Sequence, residues 1–295
     1  MDLWCVSRYE SAIYFADQNR LTLQCRHITM MIKKITSRVV FVLLSMMLSL
    51  QASASPQDLM TNLHKMQLLS SMAVANYHLF AGLDADAKYG NRLKKNLDEF
   101  QTLLVETTDI PTADKYGADV KAINKDWMVF KDLVNSNYQD MMDQGFPDVK
   151  RVSDADFANR DLLRDLSQLY TKTSEENNVK VSQEASLARS LSLLMQQINT
   201  QYAARGSTNL GQVFNGNFER TLEDLGAEFE TKLKQLKQVA TRASDKSLIS
   251  SINSKWLFIG RSIANYNENS VIFLVSSYSE RITMNLEKIA EMHSK

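Results

Sequence analysis

From Leu187 to Gly206 the chain reads LARSLSLLMQQINTQYAARG, and Leu187, Leu191, Leu194, Ile198 and Tyr202 recur at steps of four and three. That spacing lays them along one stripe of a 3.6-residue helix, which Gly206 ends. An earlier stretch carries the same stripe through Leu59, Leu63, Met66, Ser70, Ala73, Tyr77 and Phe80 and stops at Gly82. Tyr77 and Tyr202 correspond at an offset of 125, and so do Asn96-Leu97-Asp98-Glu99-Phe100 and Thr221-Leu222-Glu223-Asp224-Leu225. An Ile-Asn-x-x-Trp pattern recurs at 123–127 and 252–256, now offset by 129, which implies a few extra residues in the second loop of the later copy. A repeat of this length is a bundle-sized module rather than a solenoid unit, and it predicts a tandem duplication.

Between the apolar stripes the punctuation falls at 82–90, 109–117, 145–153, 206–216, 243–245 and 265–269. It delimits about seven helices, near 57–82, 90–107, 114–143, 154–205, 215–242, 246–265 and 268–294. No alternating strand pattern stands out, so the expected class is all-α, two tandem antiparallel four-helix-type bundles of coiled-coil character. The fourth helix would be about 75 Å long if unbroken. Its first half, with Leu162, Leu166, Leu169 and Tyr170, closes the first bundle, and its second half opens the second. Thr171 to Gln183 is polar but holds no Gly or Pro, which predicts a continuous helical neck shared by both bundles. The modules are then 55–150 and 151–295, the shared helix being counted with the second.

The first 54 residues change the picture of where the protein works. Residues 1–30 show no structural period and read as an upstream extension from a misplaced gene start. Lys33, Lys34 and Arg38 then precede a twelve-residue apolar run, Val39 to Leu50, followed by Ala52-Ser53-Ala54. A basic segment, a short apolar core and an A-x-A site form a secretory signal, expected to span 31–54 with cleavage after Ala54 and export to the periplasm. Cys5 and Cys25 both lie in the upstream piece, so the exported chain would have no thiol chemistry.

Six basic and three acidic residues of the 34 and 34 fall in the first 54, leaving a net charge of −3 on residues 55–295. With no basic excess, nucleic acid is not an expected partner. There is no G-x-S-x-G, H-E-x-x-H, P-loop or G-x-G-x-x-G, so the chain reads as a non-enzyme without a cofactor. His64 and His78 lie fourteen residues apart with no carboxylate nearby in sequence, which is no metal site. Asp84 to Gly90 has Lys88 where a calcium loop needs oxygen, so it reads as a turn between helices.

Two helical modules, each opened by a Leu-x-Leu-Leu-x-x-Met-like motif in an exported chain, resemble the PilJ-type domain, the N-terminal domain of type IV pili methyl-accepting chemotaxis transducers. That domain is similar to the sensor domains of nitrate/nitrite histidine kinases. Against a family motif of approximate form L-A-G-R-Q-R-M-L-S-Q-R-M-A-K-x-Y, Leu187, Ala188, Leu194, Gln196 and Tyr202 match in place. Leu68, Met72, Ala73 and, one residue late, Tyr77 match in the first copy, and Phe273 to Arg281 is similar to the family's closing segment. The resemblance implies a sensory, ligand-binding module. Here it would stand alone as a periplasmic binding or adaptor protein with no signalling output domain, handing its state to a membrane receptor or another envelope protein. A homodimer and a small-molecule ligand are further expected partners. The alternative is a structural helical scaffold of the cell envelope without a ligand.

The motif arginines of the family fall on Ser190, Ser192 and Gln197 in one copy and on His64, Met66 and Ser71 in the other, so nitrate binding by forked guanidinium contacts is not expected. Arg189 stands near the motif as a poorly placed substitute, and Arg261 is the other nearby cation. Ser70 and Gln196, with Tyr77 and Tyr202, sit on or beside the apolar stripes, where a polar group must find a partner. Two readings follow: hydrogen bonds that fix the register of the bundle, or a cavity for a neutral or weakly polar ligand lined by Ser70, Tyr77, Arg189, Ser192, Gln196 and Tyr202. Trp127 and Trp256 read as core anchors.

Overall fold

The computed structural model describes residues 55–206, 220–265 and 271–294. Among these residues there are nine helices and no strand. They are α1 (Pro56–Gly82), α2 (Ala87–Thr108), α3 (Pro111–Asp114), α4 (Gly117–Gln144), α5 (Val149–Glu176), α6 (Gln183–Gly206), α7 (Leu222–Val239), α8 (Ala243–Ala264) and α9 (Ile272–Met292). The expected extension and signal at 1–54, and part of the expected break at 206–216, lie outside the described residues. No helix among the described residues is long and apolar enough to cross a membrane.

Two cores form. In the first, α1 packs on α2 and α5, and α4 on α5, around Phe80, Phe100, Trp127, Phe130, Leu162 and Leu166. The second gathers α6 to α9 in a ring around Leu191, Ile198, Phe229, Trp256, Ile282 and Leu286. Helices α1 and α6, the two motif helices, also pack directly on each other. Thr61 accepts from Arg189 at 3.2 Å and Thr200 donates to the Ser71 carbonyl at 3.1 Å, so the pair runs parallel. Contact on three sides explains why 17 of the 27 residues of α1 are buried, far more than one stripe supplies.

The two cores repeat in detail. Trp127 Nε1 donates to Gln101 at 2.9 Å and its ring stacks on Phe100, while Trp256 Nε1 donates to Glu230 at 3.1 Å beside Phe229. Both sets are related by 129 residues, not 125, so the register on α2 and α7 is one turn further along than the Asn96–Phe100 match suggested. A four-residue slip turns a helix by only about 40° and leaves the stripe almost unchanged, so periodicity alone does not separate the two registers. The extra residues therefore lie between α6 and α7. Across the seam, His64 of α1 reaches Glu287 of α9 at 2.9 Å, and Arg189 of α6, 125 positions later, reaches Tyr170 of α5 at 3.0 Å. Each motif helix thus extends the same position to the closing helix of the other bundle.

The shared long helix does not form. Helix α5 ends at Glu176, and Asn178 adopts φ 50°, in the left-handed region. Val179 N–H bonds the Ser174 carbonyl at 3.0 Å and Asn177 Nδ2 the Thr173 carbonyl at 2.8 Å, a left-handed cap in which asparagine takes the place of glycine. Ser182 then opens α6 by accepting from Ala185 N–H at 3.1 Å. The buried apolar residues of α5, Val152, Ala155, Leu162, Leu166 and Leu169, all pack in the first core. Gly90, expected in a loop, lies inside α2: a Cβ there would stand 3.1 Å from Tyr138 and 3.2 Å from Phe80, and its absence lets those rings stack beneath the helix. The turn itself is made by Asp84 and Ala85 at φ 50° and 58°.

Candidate functional site

The α1/α6 seam is polar. Glu287 Oε1 stands 2.9 Å from His64 Nε2 and 2.6 Å from Ser192 Oγ. Burial pushes the Glu287 carboxyl up, but hydrogen bonds from His64 and Ser192 and the charges of His64 and Arg189 together hold it below the ordinary carboxylate value. Arg189, 6% exposed, gives its guanidinium to the hydroxyls of Tyr170, Thr61 and Ser294. Gln196 donates to Thr283 at 2.8 Å, Ser70 donates to the Gln67 carbonyl at 3.1 Å, and Tyr202 Oη accepts from Val271 N–H at 3.0 Å. Four of the six candidate residues, Arg189, Ser192, Gln196 and Tyr202, therefore make bonds to other elements of the kind the first reading describes, while Ser70 bonds only within α1.

Tyr77 is 2% exposed and its hydroxyl has no hydrogen-bond partner among the described residues. Burial first, then the charges of Asp156 and Asp140, raises its pKa far above the ordinary phenol value against the opposing pull of Arg151. The buried carboxamide of Asn137, Asp156 Oδ2 and Asn159 Oδ1 are also without partners among the described residues. Four such groups within one bundle exceed what a satisfied interior carries. Sequence reading missed Asn137, Asp156 and Asn159 because each looks like an ordinary polar position on its own helix. It also found no carboxylate for the histidines, yet His64, His78 and His293 meet Glu287, Asp156 and Asp245, at 2.9, 3.3 and 2.9 Å, across the fold.

Two grooves flank the seam. The first, about 430 Å³, is lined from α1 by Gln67, Ser71 and Val74, from α5 by Asp156, Asn159 and Leu163, and from α6 by Ser190, Leu193, Leu194 and Gln197. On the opposite side, a groove of about 640 Å³ is lined by Lys65, Leu68, Leu69 and Met72 of α1, with Glu99 of α2 and Glu280, Thr283 and Glu287 of α9. Subtracting 125 from Ser190, Leu193, Leu194 and Gln197, four of the five α6 residues of the first groove, gives the four α1 residues of the second, and Glu228 of the first matches Glu99 at 129. The grooves are the same place in the two repeats.

This equivalence locates the predicted residues. Ser192 and Gln196 correspond at 125 to Gln67 and Ser71, which line the first groove. In the second copy Glu287 and Thr283 cover those positions. The six candidates line neither groove, although Arg189 borders a separate pocket with Arg242 and Lys288. Among the described residues no group of three or more His, Cys, Asp or Glu side chains is placed to hold a metal ion. The chain matches no family model, no curated protein and no solved structure.

Proposed function

We propose that the chain is an exported sensory-type binding module, a PilJ-like tandem duplication that acts in the periplasm as a ligand-binding or adaptor protein for a membrane receptor or another envelope protein. The observation that carries this reading is the first groove. It lies between two bundles, has a volume suited to a small molecule, and is bordered by Asp156 and Asn159, each with one buried oxygen, Oδ2 and Oδ1, that has no hydrogen-bond partner among the described residues. A ligand seated there touches α1, α5 and α6 at once, so occupancy couples the two bundles.

The scaffold reading draws on a different observation, the internal hydrogen bonds of Arg189, Ser192 and Gln196, which need no ligand. A thermal-shift screen of the purified chain against a library of metabolites separates the two. A compound that binds only the folded state at a hundredfold excess over Kd adds about 2.7 kcal/mol, several degrees in Tm. The binding-module reading expects at least one such shift, lost in Asn159→Leu. A library that leaves Tm unmoved favours the scaffold.

A further inference from the structure

Helices α8 and α9 carry four carboxylates between them, and all four turn away from the outer seam where the two helices meet. Asp245 is fully buried on His293 at 2.9 Å, and Glu280 is held by Arg92 of α2 at 3.1 Å. Glu287 is taken by His64 and Ser192, and Glu291 borders the groove on the α1 side. The seam is built instead from Ser251, Lys255 and Phe258 of α8 and Tyr278, Arg281 and Asn285 of α9. The Phe258 and Tyr278 rings lie 5.0 Å apart, and Asn285 Nδ2 donates to Ser251 Oγ at 3.1 Å. Lys255 Nζ donates to the Ser251 carbonyl at 3.2 Å, and the Arg281 guanidinium stands 5.9 Å from the Tyr278 ring centroid.

One helical turn extends this face at either end. Arg261 follows Phe258 and Leu274 precedes Tyr278 at one end, and Lys288 follows Asn285 at the other, where it also borders the α1 groove. Lys255, Arg261, Arg281 and Lys288 form no ion pair among the described residues, so the strip gathers four positive charges on a stretch, 55–295, whose net charge is −3. Such charges repel one another until an acidic surface meets them, and complementarity of that kind steers and orients a partner. Arg281 and Lys288 are seven residues apart, about 10 Å along α9, and Lys255 and Arg261 are six apart, about 9 Å along α8. A helix presents the same side every seven residues, also about 10 Å, so carboxylates at that repeat fall in step with the cations. Phe258 and Leu274, 57% and 37% exposed, leave hydrocarbon at one end for an apolar anchor.

We propose that the outer seam of α8 and α9 docks an acidic amphipathic helix of a partner protein. Its carboxylates meet Lys255, Arg261, Arg281 and Lys288, and its apolar anchor rests on Phe258 and Leu274. A third helix laid in the furrow between two packed helices is ordinary bundle geometry. The floor of the furrow at Ser251 and Asn285 is polar, which the side chains of a helix can bridge, whereas a lipid surface lying on it would bury little hydrocarbon. The proposal rests on the adaptor reading of the chain, gives that reading a docking face, and makes no use of the first groove.

The test is fluorescence anisotropy of the full chain at pH 7 and low salt with a labelled synthetic helix of about three heptads, roughly 30 Å long, carrying Leu at a and d and Glu at e and g. Two further peptides replace every Glu by Gln or by Lys. Saturable binding of the Glu peptide is expected, at least roughly tenfold tighter than the Gln peptide and weakening as salt is raised. Arg261→Glu and Arg281→Glu each weaken it by about threefold or more and together by about tenfold or more, whereas Lys125→Glu on α4 leaves it unchanged. The double variant is expected to bind the Lys peptide more tightly than the parent does, a gain that a damaged fold would not produce. Helical circular dichroism and Tm establish that each variant is folded. Equal binding of the Gln and Glu peptides, no binding of the Glu peptide, or unchanged binding in the folded double variant each overturns the docking face. Co-sedimentation with phosphatidylglycerol vesicles, lost in the double variant, without binding of the Glu peptide overturns the helix in favour of a lipid surface. Each of these failures leaves the metabolite screen as the separate test of the ligand-binding reading.

Discussion

Asn178→Ala and Ser182→Ala have opposite expected signs in a broken and in a continuous helix. In the interior of an exposed helix, replacing Asn or Ser by Ala gains about 0.5 kcal/mol of helix propensity. Asn178 instead has φ 50° and is exposed, so its replacement changes backbone strain and not packing. A left-handed residue with a Cβ costs about 1–2 kcal/mol, which asparagine partly recovers through local hydrogen bonding, so Asn178→Ala loses about 1 kcal/mol. Asn178→Gly, free of the Cβ but entropically costly in the unfolded chain, stays within about 0.5 kcal/mol of the parent.

Ser182 caps Ala185 N–H and donates to the His293 carbonyl at 3.2 Å, so Ser182→Ala removes both bonds and loses about 1–2 kcal/mol. Urea titration with unchanged m-value reads these differences directly, and in a chain of this size each kilocalorie corresponds to about 2–4 °C in Tm. A rise in stability for both alanine variants would refute the left-handed cap and restore the continuous neck.

Tyr77→Phe removes a buried hydroxyl that has no partner, and the variant is expected to be as stable as the parent or about 1 kcal/mol more stable at pH 7 by urea titration. The folded pKa of Tyr77 is raised, so its contribution is complete below the ordinary phenol value and lost as pH rises beyond about 10; Tyr77→Phe flattens that alkaline limb, and identical alkaline curves would contradict the burial argument. Glu287 has the opposite sign: its folded pKa is lowered, so its contribution is complete above the ordinary carboxylate value, about 4.3, and is lost as pH falls through the folded value. Glu287→Gln should therefore be less acid-sensitive between about pH 5 and pH 2, measured by Tm against pH. Nitrate should give no saturable heat by titration at low salt, because Arg189 is enclosed by Tyr170, Thr61 and Ser294; micromolar binding abolished by Arg189→Met would overturn that.

Much of the helical order was legible from the 3.6-residue stripes, because Leu59 to Phe80 and Leu191 to Tyr202 each bury a face that has to meet a neighbour. The break at Asn178 was hidden because left-handed capping by asparagine carries a weaker signal than glycine or proline. Gly90 misled in the other direction, because its missing Cβ leaves room for two rings rather than making a turn. The motif stripe also led to Ser192 and Gln196, whose equivalents Gln67 and Ser71 line the first groove, while Ser192 and Gln196 themselves are covered by Glu287 and Thr283. What decides between the copies is whether α5 or α9 covers them, and no local pattern on α6 encodes that. The partners of His64, His78 and His293 lie on other helices and were illegible for the same reason.

The central claim is that a ligand occupies the first groove and not its counterpart. With Cys5 and Cys25 replaced by serine, Leu163→Cys places a thiol in the first groove and Leu69→Cys one in the second, both at half-buried positions. Alkylation by N-ethylmaleimide is timed with and without each library compound that raises Tm. A true ligand slows the Leu163→Cys reaction and leaves the Leu69→Cys reaction unchanged. Equal rates at Leu163→Cys with and without every such compound, or protection confined to Leu69→Cys, would contradict the claim.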